Sequence, residues 1–142
     1  MSALHYLLDT NTCIYIINRR PPAVFDRFVG HRFGEIGISS ISGAELVYGV
    51  AKSGSQRNRG ALDKFLAPLE ILPFDDAAMR CYGDMRAQLE SNGTPIGGMD
   101  LLIAAHAIAL DATLVTNNER EFRRVKGLRL ENWLSATRSP AS

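Results

Sequence analysis

Three carboxylates in this sequence stand close to the points where predicted strands or loops give way to helices. Asp9 directly follows the apolar run Tyr6-Leu7-Leu8, Glu45 lies early in a helical pattern, and Asp100 opens an apolar helix. Each has a structural explanation, because acids favour helix starts as N-caps and as partners of the helix dipole. Ser42 and Glu45 also have the S-x-x-E spacing of a capping box, in which Glu45 would bond back to the Ser42 amide.

The elements that must position these acids alternate between short apolar runs and longer helical patterns. Strands are predicted at 6–8, 36–39, 70–74, 113–116 and 128–130, and helices at 13–18, from 41 onward, and at 56–66, 77–89, 100–110 and 119–124. This alternation predicts an α/β fold with a parallel sheet and helices on both of its faces. The strands lack polar alternation, which is typical of strands buried on both faces.

In an open parallel sheet, ligands bind beyond the carboxyl ends of the strands. Asp9, Glu45 and Asp100 should therefore meet at one end, together with Asn118, which follows the strand at 113–116. Unpaired carboxylates in such a group repel one another, so they require a cation or shared protons. Oxygen ligands favour Mg²⁺ or Mn²⁺ over zinc, and such a cation activates water and stabilises charge on phosphorus. The pattern predicts metal-dependent hydrolysis of a phosphodiester.

Other polar residues flank the acids at the same predicted end of the sheet. Thr10 and Asn11 follow Asp9, and Thr116 ends the fourth predicted strand. A threonine hydroxyl in this place orients an acid or a water, or else it simply caps a helix. Glu121 supplies a further carboxylate or is a surface residue of a short helix.

The composition is that of one ordinary globular domain, with 142 residues, 46% of them hydrophobic and 22% charged. The net charge of +1 excludes a uniformly basic coat for nucleic acid. The basic residues are clustered, however, and a cluster is either solvated surface or a set of phosphate contacts. The candidate RNA contacts are Lys52, Arg57, Arg59, Arg120 and Arg123.

Several other kinds of site are excluded by the motifs. The cysteines, Cys13 and Cys81, stand far apart with no zinc spacing, and no phosphate-binding glycine loop or serine-nucleophile motif is present. His106 lies in an apolar helix and is interpreted as a core histidine with a hydrogen-bond partner. The start of the chain lacks a signal-peptide pattern, and the apolar run 101–110 is too short to span a bilayer. We expect a cytoplasmic protein.

Four segments resemble the motifs of PIN domains, in the same order and over nearly the whole chain. They are 7–11, 39–45, 95–105, and 114–118 followed by Glu121-Phe122. The resemblance implies a PIN-like fold, a three-layer α/β/α arrangement with a parallel sheet of about four to five strands. One PIN domain would cover 1–134, and 135–142 would be a flexible tail. Many PIN domains carry a fourth acid where Asn118 stands here.

Within that family the opening Asp-Thr-Asn-Thr-Cys-Ile-Tyr, at 9–15, resembles the VapC toxins of bacterial toxin–antitoxin pairs. The resemblance implies an endoribonuclease that uses Mg²⁺, with Mn²⁺ as a possible substitute, and that cleaves structured RNA such as tRNA to inhibit translation and growth. It implies a homodimer, neutralised in a hetero-oligomer by a VapB-type antitoxin. The implied catalytic residues are Asp9, Glu45, Asp100 and Asn118, of which the three acids bind the metal.

Three alternatives stay open at this point. A PIN-like module could bind RNA or protein without cutting, although the intact set of acids argues against this. A phosphoacceptor receiver domain requires a lysine after a late strand, where this chain has Asn117 and Asn118. A DNA nuclease is disfavoured by the small size but still allows single-stranded DNA as substrate.

Overall fold

The computed structural model describes residues 4–32 and 34–134, which contain five strands and seven helices. The strands are β1 (Tyr6–Leu8), β2 (Ile36–Ser39), β3 (Glu70–Leu72), β4 (Thr113–Val115) and β5 (Leu130–Glu131). The helices are α1 (Thr10–Asn18), α2 (Pro22–Val29), α3 (Ser40–Ser53), α4 (Gln56–Leu66), α5 (Asp76–Ser91), α6 (Gly98–Leu110) and α7 (Glu119–Phe122). The predicted tail, 135–142, lies outside the described residues.

The five strands form one sheet in the order β3-β2-β1-β4-β5, and every pair is parallel. The prediction of a parallel sheet is thus confirmed. β1 lies at the centre, and the chain builds outward from it first on one side and later on the other. Leu8 at the end of β1 pairs with Val115 at the end of β4, so the residues after these two strands are neighbours. This is the switch point at which open α/β sheets bind ligands.

Two separate cores lie on the two faces of the sheet. Leu8 and Val115 pack into one core with residues of α1, α2, α3 and α4, whereas Leu7 and Leu114 pack into the other with residues of α5 and α6. Successive residues of a strand point to opposite faces, which explains why neighbours in sequence enter different cores. All four side chains are fully buried. The predicted α/β/α layering is confirmed.

Gly37 lets β2 and β3 lie side by side in the sheet. A Cβ atom at this position of β2 would stand 2.8 Å from the Glu70 carbonyl oxygen of β3. Side chains do not approach backbone that closely, so a larger residue would push β3 away. The glycine therefore allows β3 to pack closely beside β2.

The sequence analysis missed α2, which begins with proline at its first turn and packs Val24 into the core. Proline is favoured there because its fixed φ suits a helix start and its missing N–H would have no partner in the helix. The helical pattern of 77–89 predicts Met79 as an inward-facing residue, but Met79 in α5 is 53% exposed. In α5 the neighbouring Ala78 is buried instead. None of the described helices is long and apolar enough to cross a membrane.

Candidate active site

Asp9 is both the N-cap of α1 and a buried acid. Its Oδ1 accepts a hydrogen bond from the Thr12 backbone N–H at 2.9 Å, and the residue is only 5% exposed. Burial raises the pKa of Asp9, as does the charge of Glu45, whereas hydrogen bonds from Thr116 and Thr12 oppose the rise. The capping explanation is therefore correct, but it does not exclude chemistry. A carboxylate kept this dry is costly unless a cation or proton accompanies it.

Glu45 is turned toward α1 and takes no part in capping its own helix. The N-cap of α3 is Ser39, whose Oγ accepts from the Ile41 N–H at 3.0 Å, so the suggested Ser42–Glu45 capping box is wrong. Helix α3 begins earlier than expected, which places Ser42 inside its first turns. Glu45 Oε1 instead accepts a hydrogen bond from the Thr10 hydroxyl at 2.5 Å. This contact joins the start of α1 to α3.

Asp100 lies in the first turn of α6 and is partly buried. Burial raises the pKa of Asp100 to about 7, and a hydrogen bond with Glu121 and the charges of Glu121, Asp9 and Glu45 contribute in that order. Four carboxyl groups from four helices thus act on one another at the carboxyl end of the sheet. The three expected acids lie within electrostatic reach of one another at this end of the sheet, and Glu121 lies beside Asp100.

Glu121, rather than Asn118, is the residue of this segment that lies next to Asp100. Asn118 is exposed, and its Nδ2 lies 3.5 Å from Glu121 Oε1, a long contact for a hydrogen bond. The Asn118 backbone N–H donates to Thr116 Oγ1 at 2.9 Å, while the Thr116 hydroxyl bonds to Asp9. One buried hydroxyl therefore connects the loop after β4 to the central acid.

The chemistry of this group fits a hard divalent cation. All the donors are carboxylate oxygens, which suit Mg²⁺ or Mn²⁺, and their mutual repulsion would be relieved by a positive ion. Among residues 4–32 and 34–134, no three histidine, cysteine, aspartate or glutamate side chains already converge on one point as a ligand set. The acids are close enough to raise the pKa of Asp100. Side-chain rotations would be needed to bring their oxygens around one ion.

Of the remaining polar residues near the site, some make hydrogen bonds that support it and others are exposed to solvent. Asn11 is exposed on α1, with no hydrogen bond from its side chain to the rest of the described chain. Two supporting residues were missed by the sequence analysis: Thr12, whose hydroxyl donates to the Val115 carbonyl at 3.2 Å, and Asn117, whose Nδ2 donates to the Tyr15 hydroxyl at 2.8 Å. The position of Thr12, three residues after an N-cap, was the available signal.

A groove of about 570 Å³ runs from Glu45 between α1, α3 and α4. Its walls are mostly apolar, and Arg57 lies at its edge with no ion pair to another described residue. Apolar lining comes from Ile14, Ile17, Leu46, Val50 and Leu62. Of the other candidate RNA contacts, Lys52, Arg59 and Arg120 are exposed outside this groove, and Arg123 pairs with Glu119 at 3.2 Å.

A five-stranded parallel sheet with acidic residues at its switch point defines an α/β protein with an acidic pocket where open sheets bind ligands. The model of one family, the PIN domain, matches residues 6–128. The chain belongs to the PIN-domain family.

Curated relatives match over nearly their full length. Ribonuclease VapC2 of Rickettsia felis is 49% identical over 130 residues, which cover 90% of this chain and 97% of that protein. The tRNA(fMet)-specific endonuclease VapC of Shigella flexneri is 42% identical over 131 residues, covering 92% and 98%.

Solved structures of toxin–antitoxin complexes share the fold. VapBC from Salmonella typhimurium, bound to DNA, superimposes with a TM-score of 0.86 at 42% identity, covering 92% of this chain and 98% of that one. VapBC2 from Rickettsia felis, bound to a DNA fragment from its promoter, gives 0.83 at 47% identity, covering 92% and 99%.

Proposed function

We propose that this chain is the toxin of a toxin–antitoxin pair, an Mg²⁺-dependent endoribonuclease that cleaves tRNA in the cytoplasm and so stops translation and growth. The observation that carries the proposal is the group of four carboxyls at the carboxyl ends of β1 and β4, in which the pKa of Asp100 is raised to about 7. The ribonuclease names of relatives at 42–49% identity support it.

In this proposal, Asp9, Glu45 and Asp100 hold the cation, and Glu121 completes the acidic pocket. When bound, Mg²⁺ supplies a Lewis acid that lowers the pKa of water and offsets charge on the phosphate. The Thr10 hydroxyl orients the Glu45 carboxylate, and the Thr116 hydroxyl orients Asp9. In-line attack by water would leave a 5′-phosphate and a 3′-hydroxyl.

The substrate is proposed from the relatives, with initiator tRNA as the first candidate. Proteins from Shigella flexneri and Salmonella typhimurium, each 42% identical to this chain, are named tRNA(fMet)-specific endonucleases. Arg57 beside the groove and the exposed Lys52, Arg59 and Arg120 supply cations for the RNA backbone. Such contacts add affinity that does not depend on base sequence.

A VapB-type antitoxin is the proposed partner, and the groove that runs from Glu45 is its proposed seat. An apolar groove between helices suits the apolar face of a peptide helix, and a cation carried by that peptide would pair with the carboxylates. Structural neighbours described as VapBC complexes support this partner.

We also propose a homodimer that uses the outer face of α3. Val47 and Tyr48 on this helix are 47% and 65% exposed, which leaves an apolar surface uncovered in the monomer. Large apolar side chains exposed next to each other on one helix are the observation that supports this interface.

The proposal is tested by incubating the purified protein with initiator tRNA and, separately, with an elongator tRNA, in Mg²⁺ and in EDTA. We expect Mg²⁺-dependent cleavage that Asp9→Asn, Glu45→Gln and Asp100→Asn each abolish without unfolding the protein. The matched control is Asp111→Asn, since Asp111 is an exposed acid at the opposite end of α6. RNA binding without cleavage would instead identify the non-cleaving module, and full activity in all three variants would overturn the site.

A further inference from the structure

His106 is a buried polar side chain that the proposed chemistry does not use. It lies in the middle of α6, is 1% exposed, and its Nδ1 stands 2.8 Å from the Ser39 hydroxyl at the end of β2. The interpretation as a core histidine with a partner is confirmed. The partner itself is informative, because Ser39 is also fully buried and caps the helix that carries Glu45.

The hydrogen-bond directions around the ring can be assigned from its partners. Burial lowers the pKa of His106 and so favours the neutral imidazole, which has one N–H and one acceptor nitrogen. The Pro73 carbonyl oxygen is the second partner of the ring, and a carbonyl can only accept. The N–H therefore points to Pro73, and Nδ1 accepts the hydroxyl proton of Ser39.

The Ser39 hydroxyl consequently has both of its functions occupied. It donates to His106 and accepts the Ile41 N–H at 3.0 Å, which is the first capping bond of α3. The segment after β3 also contacts this ring, because the Phe74 ring packs edge-on against the His106 ring at 5.4 Å. The Phe74 N–H donates to Ser40 Oγ at 3.1 Å. One imidazole thus ties α6 to the starts of both α3 and the segment after β3.

These two helices each carry an acid of the site. Glu45 lies further along α3, and Asp100 lies at the start of α6. The two carboxylates act on each other electrostatically. Because one is on α3 and the other on α6, the distance between them depends on how these two helices pack. We propose that His106 is a positioning residue that pins the start of α3 to α6 and thereby sets the spacing of Glu45 and Asp100 for cation binding. The inference rests on the proposed function of that site.

A purely apolar residue at this position would fill the core but leave the Ser39 hydroxyl without its partner. The α3 cap could then shift or rotate, and Glu45 would move with it. Residues that hold metal ligands in place contribute about 10- to 100-fold to metal affinity in other proteins. A residue that only fills the core changes stability and leaves cation affinity unchanged in the molecules that remain folded.

The test is calorimetric titration of Mn²⁺ into the full chain carrying His106→Leu, His106→Asn or His106→Gln, with kcat and KM measured alongside. The Asn variant keeps an acceptor near the Nδ1 position, whereas the Gln amide lies near the other ring nitrogen. We expect His106→Leu and His106→Gln to bind Mn²⁺ about 10- to 100-fold more weakly, with kcat falling more than KM changes. His106→Asn should restore most of the affinity.

Val24→Ala is the matched control, because Val24 is a buried residue of α2 in the opposite core. It should lower the melting temperature and leave Mn²⁺ affinity as in the wild type. If His106→Leu behaves like Val24→Ala, or if the Asn and Gln variants bind Mn²⁺ equally well, His106 has no positioning role. The Asn–Gln comparison decides the matter even if the Leu variant does not fold. Wild-type protein that binds Mn²⁺ but cleaves no RNA would contradict the proposed function alone.

Discussion

Asp100 in α6 and Glu121 in α7 act on each other at the carboxyl end of the sheet, although β4 separates their helices in the sequence. Burial, together with Glu121, raises the pKa of Asp100 to about 7, so in the metal-free site this acid keeps its proton to a higher pH than an ordinary aspartic acid. A divalent cation would have to displace it. The pair therefore links metal binding, pH and stability in a way that separate measurements can resolve.

The first prediction concerns the pH dependence of the metal-free protein. The pKa of Asp100 rises from 3.8 to about 7 on folding, so between these values the folded state binds a proton that the unfolded chain has lost. The contribution of Asp100 to the free energy of unfolding should therefore be largest at low pH and should fall as pH rises toward 7. Chemical denaturation in EDTA at about pH 5 and about pH 8 measures it.

Asp100→Asn isolates this contribution, because asparagine resembles the protonated acid and does not titrate. The variant should gain stability relative to wild type as pH rises, and Mg²⁺ should reverse the difference at the higher pH by stabilising the wild type alone. A difference between the two proteins that stays constant with pH would contradict the raised pKa.

The second prediction concerns Glu121 as the fourth carboxylate. Glu121→Gln removes a negative charge beside Asp100, so Mg²⁺ affinity and cleavage at limiting Mg²⁺ should both fall by about tenfold, the effect of roughly 1.4 kcal/mol. Glu119→Gln is the control, because Glu119 is on the same short helix but bonds to Arg123 and Asn132. Equal Mg²⁺ titration curves for the two variants would show that Glu121 is a surface residue with no part in cation binding.

The third prediction tests the orientation of Glu45 by Thr10. Thr10→Val keeps the shape of the side chain but removes the donor to Glu45 Oε1, so kcat should fall while the fold is retained. Loss of one hydrogen bond to a charged group costs about 1.5–3 kcal/mol, or roughly 10- to 150-fold. Thr10→Ser keeps the hydroxyl and should stay close to wild type. Single-turnover cleavage of tRNA distinguishes these outcomes from slower product release.

The fourth prediction concerns Arg57 and RNA affinity. Arg57→Gln should weaken tRNA binding and reduce the slope of log affinity against log salt by about 1, because one phosphate contact is lost. Lys64→Gln serves as comparison, since Lys64 is an exposed cation of α4 that does not line the groove beside Glu45. Filter binding with the inactive Asp9→Asn protein avoids cleavage during the measurement. An unchanged slope for Arg57→Gln would place the RNA elsewhere.

The fifth prediction concerns the exposed face of α3. Tyr48→Asp should convert a dimer to a monomer, because a charge would be buried without a partner in an apolar interface. Val29→Asp places the same charge on an equally apolar surface residue of α2, which is 57% exposed, and should leave the dimer intact. Light scattering across a concentration series gives the mass directly. A wild-type protein that is monomeric at all concentrations would rule out this interface.

Much of the fold could be predicted because its strands are short, apolar and well separated. The bounds of β1, β2 and α4 match the sequence pattern residue for residue. Helix α2 was missed because it is only eight residues long and lies between two loops, where Pro22 is the signal of its start. Met79 was expected inward because periodicity fixes a stripe but not its rotation, and packing against α6 turned Ala78 inward instead.

The acids of the site were found because strand ends and helix starts are visible in a sequence. The hydrogen-bond partner of each acid could not be predicted in the same way. Ser42 and Glu45 have capping-box spacing, yet Ser39 begins the helix and Thr10 bonds to Glu45, a choice made by contacts between distant segments. The role of Glu121 depends on where the four-residue helix α7 lies relative to α6. No local sequence pattern predicts that position.

The central position of β1 has a consequence for the order in which the protein is made. β1 leaves the ribosome well before one of its two neighbours, β4, which begins at Thr113, and Glu121 follows later still. The nascent chain therefore carries Asp9 long before the groups that surround it exist. The acidic group can therefore assemble only after synthesis has passed Glu121.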